Sequence, residues 1–178
     1  MNKKSNSYST KKLTVCAMLS ALGVVLLIAG SFIEVLDISM AVVASLFCVI
    51  AVIEYGGSAP WLIYAVTAIL SLLLLPQKTP AIFYSIFFGF YPILKERFEK
   101  KSKMTSWIFK EIVFNICLVI LAFVSLKMLT LGENALINVY TVSAGIALAE
   151  AVFVLYDIAL TRLITYYVIN LRHRLKLK

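Results

Sequence analysis

Residues Leu13 to Ile33 read LTVCAMLSALGVVLLIAGSFI, 21 positions without one charged side chain. A helix rises about 1.5 Å per residue, so this run can cross a hydrocarbon core of about 30 Å. In hydrocarbon no water reaches the backbone, and only a helix pairs each N–H and C=O within its own segment. The preceding residues 1–12 (MNKKSNSYSTKK) are polar and basic and read as a disordered cytoplasmic tail. A basic start before an apolar run also opens a signal peptide. This run is long for one, and no small-residue cleavage site follows it, so it is taken as the first span.

Working outward, a polar knot, Glu34-Val-Leu-Asp37, leads into a second apolar run over 38–53. Glu54-Tyr-Gly-Gly-Ser-Ala-Pro60 then supplies turn chemistry: Gly56 and Gly57 are free to take positive φ, and Pro60 suits a helix start. A third run covers 60–75, Pro76-Gln-Lys-Thr-Pro80 ends it, and a fourth covers 81–94. KERFEKKSK, residues 95–103, reads as a basic loop. A fifth run covers 106–129, a polar link surrounds Gly132-Glu-Asn134, and a sixth covers 139–169. The transmembrane domain thus spans 13–171, with a basic cytoplasmic tail at 172–178. With 62% hydrophobic residues, 15% charged and a mean hydropathy of +0.95, the chain has too few polar groups to clothe a soluble domain. The runs lack the alternation of a membrane β-barrel. The expected fold is an all-α membrane protein, a bundle of six transmembrane helices with no room for a separate soluble domain.

Charge fixes the expected orientation. The net charge of +8 suggests nucleic acid in a soluble protein, but here the basic residues gather in the tails and one loop. Membrane topology and anionic lipid explain that distribution, and no nucleic acid is expected. With both termini inside, fifteen lysines and arginines fall on the cytoplasmic side and two, Lys78 and Lys127, outside. Losing one span would put the basic loop or tail outside, against the positive-inside bias. Cys16, Cys48 and Cys117 lie in apolar runs without paired spacing and read as small core residues. The lone His173 in the tail makes a metal site improbable, and no cofactor is expected.

Three features bear on function. Ala17 and Ala21 stack two small side chains on one face of the first span, with Ser20 and Gly23 nearby. Such faces let another helix approach closely, either inside the bundle or from a partner. Second, acids are expensive in hydrocarbon. Glu34, Asp37 and Glu150 lie toward the outer side as candidate substrate contacts, whereas Glu54, Glu111 and Asp157 lie inward, where Lys110, Arg162 or lipid headgroups offer partners. Glu150 and Asp157, two turns apart, share a face, as do Glu111 and Asn115. Third, Tyr84, Phe88 and Tyr91 follow i, i+4, i+7 on the fourth span, with Tyr64 and Tyr140 as further aromatics. The stripe fits core packing, an interfacial belt or an aromatic ligand pocket. No Walker loop, HExxH, G-x-S-x-G or cysteine–histidine pair at membrane depth is present in the sequence, so the chain is not expected to be an enzyme or to hydrolyse ATP by itself. Nor does it carry a voltage-sensor helix or a selectivity-filter loop.

In size and layout the chain resembles the substrate-binding (S) components of energy-coupling-factor transporters, the vitamin-uptake subunits of prokaryotic cell membranes. The likeness rests on KKLTVCAMLSALGVVL with its Ala-x-x-x-Ala, the outer knot EVLDIS leading into AVVASLFCVIAVIEYGG, the short third span ending at Pro76, and the basic residues after the fourth and sixth spans. It implies that the small face at Ala17 and Ala21 docks on a transmembrane coupling subunit, itself bound to two ATPase subunits. It implies too that a small-molecule nutrient sits in the outer half of the bundle, beneath the Glu34–Asp37 knot. The Glu54-Tyr-Gly-Gly57 turn departs from the Gly-Pro turn of many S components, and no vitamin-specific signature is present. Two rivals stand beside this reading. One is a non-transport scaffold like the small rod-shape-determining membrane proteins; the other is an intramembrane enzyme built on Glu150 and Asp157.

Overall fold

The computed structural model describes the backbone of residues 3–100, 102–129 and 139–171, and the side chains of 10–33, 35–100, 102–124 and 145–170. Among the described residues the chain is helical and contains no strand. Helix α1 (Lys3–Ser31) is followed by a 3-10 turn (Glu34–Leu36), α2 (Asp37–Glu54), α3 (Ala59–Leu74) and α4 (Thr79–Phe83). A π-helical turn (Tyr84–Phe88) leads into α5 (Tyr91–Phe98), then α6 (Lys103–Leu129), α7 (Val139–Tyr166) and a second π-helical turn (Tyr167–Leu171). Among the described residues three helices are long and apolar enough to cross a membrane: Thr10–Ser31 within α1, Asp37–Glu54, and Lys103–Val124 within α6. Helix α1 begins at Lys3, so residues 3–12 of the polar stretch expected to be disordered are helical. No Gly or Pro stands between Lys3 and Leu13 to stop a helix nucleated in the apolar run from growing backward.

Two compact units form, residues 1–117 and 118–178. In the first, α1 and α2 make a hairpin, α3 packs on both, and α2 also packs on α4, the first π turn and α5. The buried face of α1 carries Cys16, Ser20, Gly23, Leu27 and Gly30; that of α2 carries Ala41, Ala44, Ser45 and Cys48; that of α3 carries Ile63, Thr67 and Ser71. Small residues at these seams bring backbones close, the main source of contact energy between helices in lipid. Gly23 and Gly30 mark the tightest points. A Cβ on Gly23 would stand 3.1 Å from Thr67 Cγ2, and one on Gly30 only 2.8 Å from Met40 Cβ. Two of the buried hydroxyls turn onto their own helices: Ser45 Oγ donates to Val42 O at 2.6 Å and Ser71 Oγ to Ala68 O at 3.0 Å. Lys12, in the third turn of α1, lies 5.9 Å from the centre of the Tyr55 ring at the end of α2.

The outer surface inverts the pattern of a soluble protein. Phe32 is 73% and Leu73 72% exposed, and Leu62, Val66, Ile69 and Leu70 are exposed along α3, while the interior holds Ser20, Ser45, Thr67 and Ser71. Such a continuous apolar coat is stable only in lipid. The chain is an all-α membrane protein.

Connections follow the turn chemistry. Gly56 and Gly57 take φ of 55° and 58°, as their place between α2 and α3 predicts. Pro60, Pro80 and Pro92 fall in the first turns of α3, α4 and α5. The expected fourth run is not one regular helix. The π turn at Tyr84–Phe88 and the break at Gly89 and Phe90 divide it. The first four residues of the expected 95–103 loop are instead the last turn of α5, where Lys95 and Arg97 face the negative end of the helix dipole. In the second unit, Phe153, Tyr156 and Leu160 of α7 are buried at i, i+3, i+7 and so share one face.

Candidate functional site

A cluster of buried and half-buried polar side chains in the first unit gathers around Tyr84. Its ring is fully buried and its hydroxyl lies 3.3 Å from Cys48 Sγ on α2. Tyr64 on α3 donates from its hydroxyl to Ser85 O at 2.8 Å, and its ring centre is 6.3 Å from that of Tyr84. Gly89 makes this possible: a Cβ there would meet Tyr64 Cδ2 at 2.6 Å and Tyr84 Cε1 at 2.8 Å. The π turn sets the register, because Gly89 N donates to Tyr84 O, five residues back, at 2.7 Å. Ser85 Oγ, next to Tyr84 in the chain, is buried without a partner among the described residues, as is Ser20 Oγ on the buried face of α1.

The i, i+4, i+7 stripe is corrected by that turn. Tyr84, Phe88 and Tyr91 are all buried, but the widened turn breaks the helical period between the first and the last of them. It is Phe87 that stacks on Tyr91, with ring centres 4.9 Å apart, and it meets Phe114 of α6 edge-on at 5.5 Å. Tyr84 and Tyr91 have no accessible surface, so a ligand reaching either ring must first displace a protein neighbour.

Asp37 occupies the first turn of α2 and is buried, where its carboxylate complements the positive end of the helix dipole. It lies eleven residues from Cys48 on the same helix, about 16 Å along the axis. The outer acid and the Tyr84 cluster are therefore separate places. Glu34 begins the 3-10 turn, but its side chain lies outside the described residues, as does that of Tyr140. Glu150 on α7 is half-buried, and its Oε2 is buried without a partner among the described residues. A buried carboxylate oxygen without a hydrogen bond is costly.

Ala17 and Ala21 are both exposed on α1, along with Met18 and Leu22. Helix α1 thus has two small-residue faces: Ser20 and Gly23 point into the first unit, and Ala17 and Ala21 point out of it. Packing inside that unit does not explain the Ala pair.

At the end of α5 lies a cluster that the sequence pattern does not reveal. Lys95 is 1% and Lys110 4% exposed, and the ammonium groups of both stand 3.2 Å from Glu99 Oε1. Glu99, the acid four residues beyond Lys95, therefore joins α5 to α6, whereas sequence reasoning sought the partner of Lys110 among other acids. Phe98 stacks on Phe109 beside it, with ring centres 5.5 Å apart. Asn115 Nδ2 donates to Glu111 O at 3.1 Å, as their four-residue spacing allows. Lys78 is also engaged: its ammonium donates to Leu72 O and Leu75 O at 2.8 and 2.6 Å, capping the carbonyl end of α3. Cys16, Cys48 and Cys117 are free and buried, as read from the sequence.

No family model, no curated protein and no solved structure matches the chain.

Proposed function

We propose that the chain is the membrane-embedded substrate-capture subunit of an energy-coupling-factor importer for a vitamin or another small nutrient. In this reading it crosses a prokaryotic cell membrane six times with both termini in the cytoplasm. It has no catalytic step of its own; two ATPase subunits drive uptake through a transmembrane coupling subunit. The observation that carries the reading is the pair of exposed small residues on α1. Ala17 and Ala21 stay outside while the other small face of the same helix is used internally. An exposed small face at one end of a membrane helix suits close approach by a partner helix.

In this reading the ligand sits at the outer ends of α1 and α2, with Glu34 and Asp37 supplying polar contacts, and Glu150 of the second unit is a separate candidate contact. Tyr84 and Tyr91, fully buried in a separate cluster, can contact a ligand only after a protein neighbour moves. The unpaired Glu150 oxygen and the engagement of Lys78 with helix carbonyls favour a ligand bearing positive charge or several hydrogen-bond donors.

Co-purification tests the docking face. Ala17→Trp with Ala21→Trp leaves unfolding unchanged, since both positions are exposed, but removes association with the coupling subunit and ATPases. Undiminished association of that variant would refute the docking role. Ligand response separates capture from a scaffold, because a ligand at 100 times its Kd stabilises the native state by about 2.7 kcal/mol. A scaffold shows no such rise with any nutrient and pairs persistently with cell-wall machinery.

A further inference from the structure

The end of α7 carries a groove of about 350 Å³, lined by Thr161, Arg162, Thr165, Tyr166, Ile169 and Asn170. Thr161 and Thr165, and beside them Arg162 and Tyr166, line it at four-residue spacing, and Ile169 and Asn170 of the second π turn also line it. All six residues are exposed. Thr161 Oγ1 donates to Asp157 O and Thr165 Oγ1 to Thr161 O, each at 2.9 Å, so both threonine hydrogens are committed to the backbone. The donors left for a ligand are the Arg162 guanidinium, the Tyr166 hydroxyl and the Asn170 amide. Arg162 makes no ion pair among the described residues, and the groove contains no carboxylate. The acid one turn before Thr161, Asp157, is itself buried.

We infer that this groove binds the headgroup of an anionic phospholipid, with the Arg162 guanidinium on the phosphate and an acyl chain along Ile169. A forked guanidinium matches phosphate oxygens in a bidentate way, and its stem lies along apolar surface while the head reaches the interface. Tyr166, 61% exposed, has the form of an interfacial aromatic. A net negative headgroup fits better than a zwitterionic one, because nothing acidic lines the groove to pair a choline or ethanolamine. The assignment of this lipid to the cytoplasmic leaflet rests on the topology proposed above; the binding itself does not.

The full chain in nanodiscs tests the site, since both leaflets there have the same composition and a wrong topology cannot mask binding. With phosphatidylcholine and phosphatidylglycerol mixed in equal parts, native mass spectrometry of the released protein reads the retained lipid. Wild type retains phosphatidylglycerol preferentially and unfolds at higher temperature than in phosphatidylcholine alone. Arg162→Gln lowers that retention about tenfold, Tyr166→Ala lowers it less, and Arg97→Gln, an exposed arginine on α5, leaves it unchanged. Equal retention of both lipids by wild type, or unchanged retention in Arg162→Gln, would overturn the inference. An equal loss in Arg97→Gln would also overturn it, as diffuse surface charge. So would displacement of the lipid by millimolar inorganic phosphate, which would make this a site for a bare anion.

Discussion

Replacing Gly89 by alanine probes the contact on which the buried aromatic cluster depends. The new Cβ would lie 2.6 Å from Tyr64 Cδ2, and 2.8 and 2.9 Å from Tyr84 Cε1 and Cζ. These are ring atoms, and neither ring is free to swing. Tyr64 is held by its hydrogen bond to Ser85 O, and Tyr84 by its contact with Cys48. Overpacking of this kind costs about 1–3 kcal/mol, and weakening one hydrogen bond adds about 1 kcal/mol. Alanine recovers about 0.4–1 kcal/mol from the reduced freedom of the unfolded chain. The net expectation is a loss of about 1–3 kcal/mol. Gly145 provides the control, because a Cβ there meets nothing within 4 Å. Gly145→Ala in the body of α7 should instead stabilise by about 0.5–1 kcal/mol. Reversible unfolding in mixed detergent–SDS micelles, followed by fluorescence of Trp61 and Trp107, reads both variants on one scale. Gly89→Ala as stable as wild type would mean that α3 and the π turn do not approach as described.

Three further outcomes follow. Gly57 has φ of 58° with open space around it, so Gly57→Ala should cost about 1–2 kcal/mol from backbone strain alone, seen in the same unfolding assay. Glu99→Gln removes the negative charge shared by two buried ammonium groups and should cost about 1.5–3 kcal/mol. Lys100→Gln breaks only an exposed pair with Glu96, and should cost less than about 1 kcal/mol; equal effects would refute the buried bridge. Asp37→Asn removes a charge from the first turn of α2 and should lower the unfolding temperature modestly. It should also abolish stabilisation by a captured nutrient, and a retained ligand response would take Asp37 out of the site.

Most helix positions were legible because apolar runs and their Gly and Pro punctuation act locally. The second and third runs, 38–53 and 60–75, differ by one residue at each end from Asp37–Glu54 and Ala59–Leu74. Features that depend on residues far apart in the chain were not legible. Nothing around Gly89 announces that Tyr64, 25 positions earlier, will pack on it. The π turn at Tyr84–Phe88 carries no compositional mark, so the aromatic stripe was assigned a regular helical period that the backbone does not keep. Lys95 and Lys110 looked like two more basic residues near a loop; their burial depends on Glu99 folding back between α5 and α6. The Ala17–Ala21 pair was visible, but its outward direction was not, because α1 carries small residues on two faces.

Accessibility of the two chain ends in intact cells bears most directly on the proposed architecture. An epitope tag before Met1 or after Lys178 should stay unlabelled by a membrane-impermeant reagent until the cells are permeabilised, and both tags should then be labelled to the same extent. Labelling of either tag on intact cells would put an odd number of crossings, or a reversed bundle, in place of six helices with both ends inside. The docking face of α1 and the outer ligand site would then stand on the wrong sides of the bilayer.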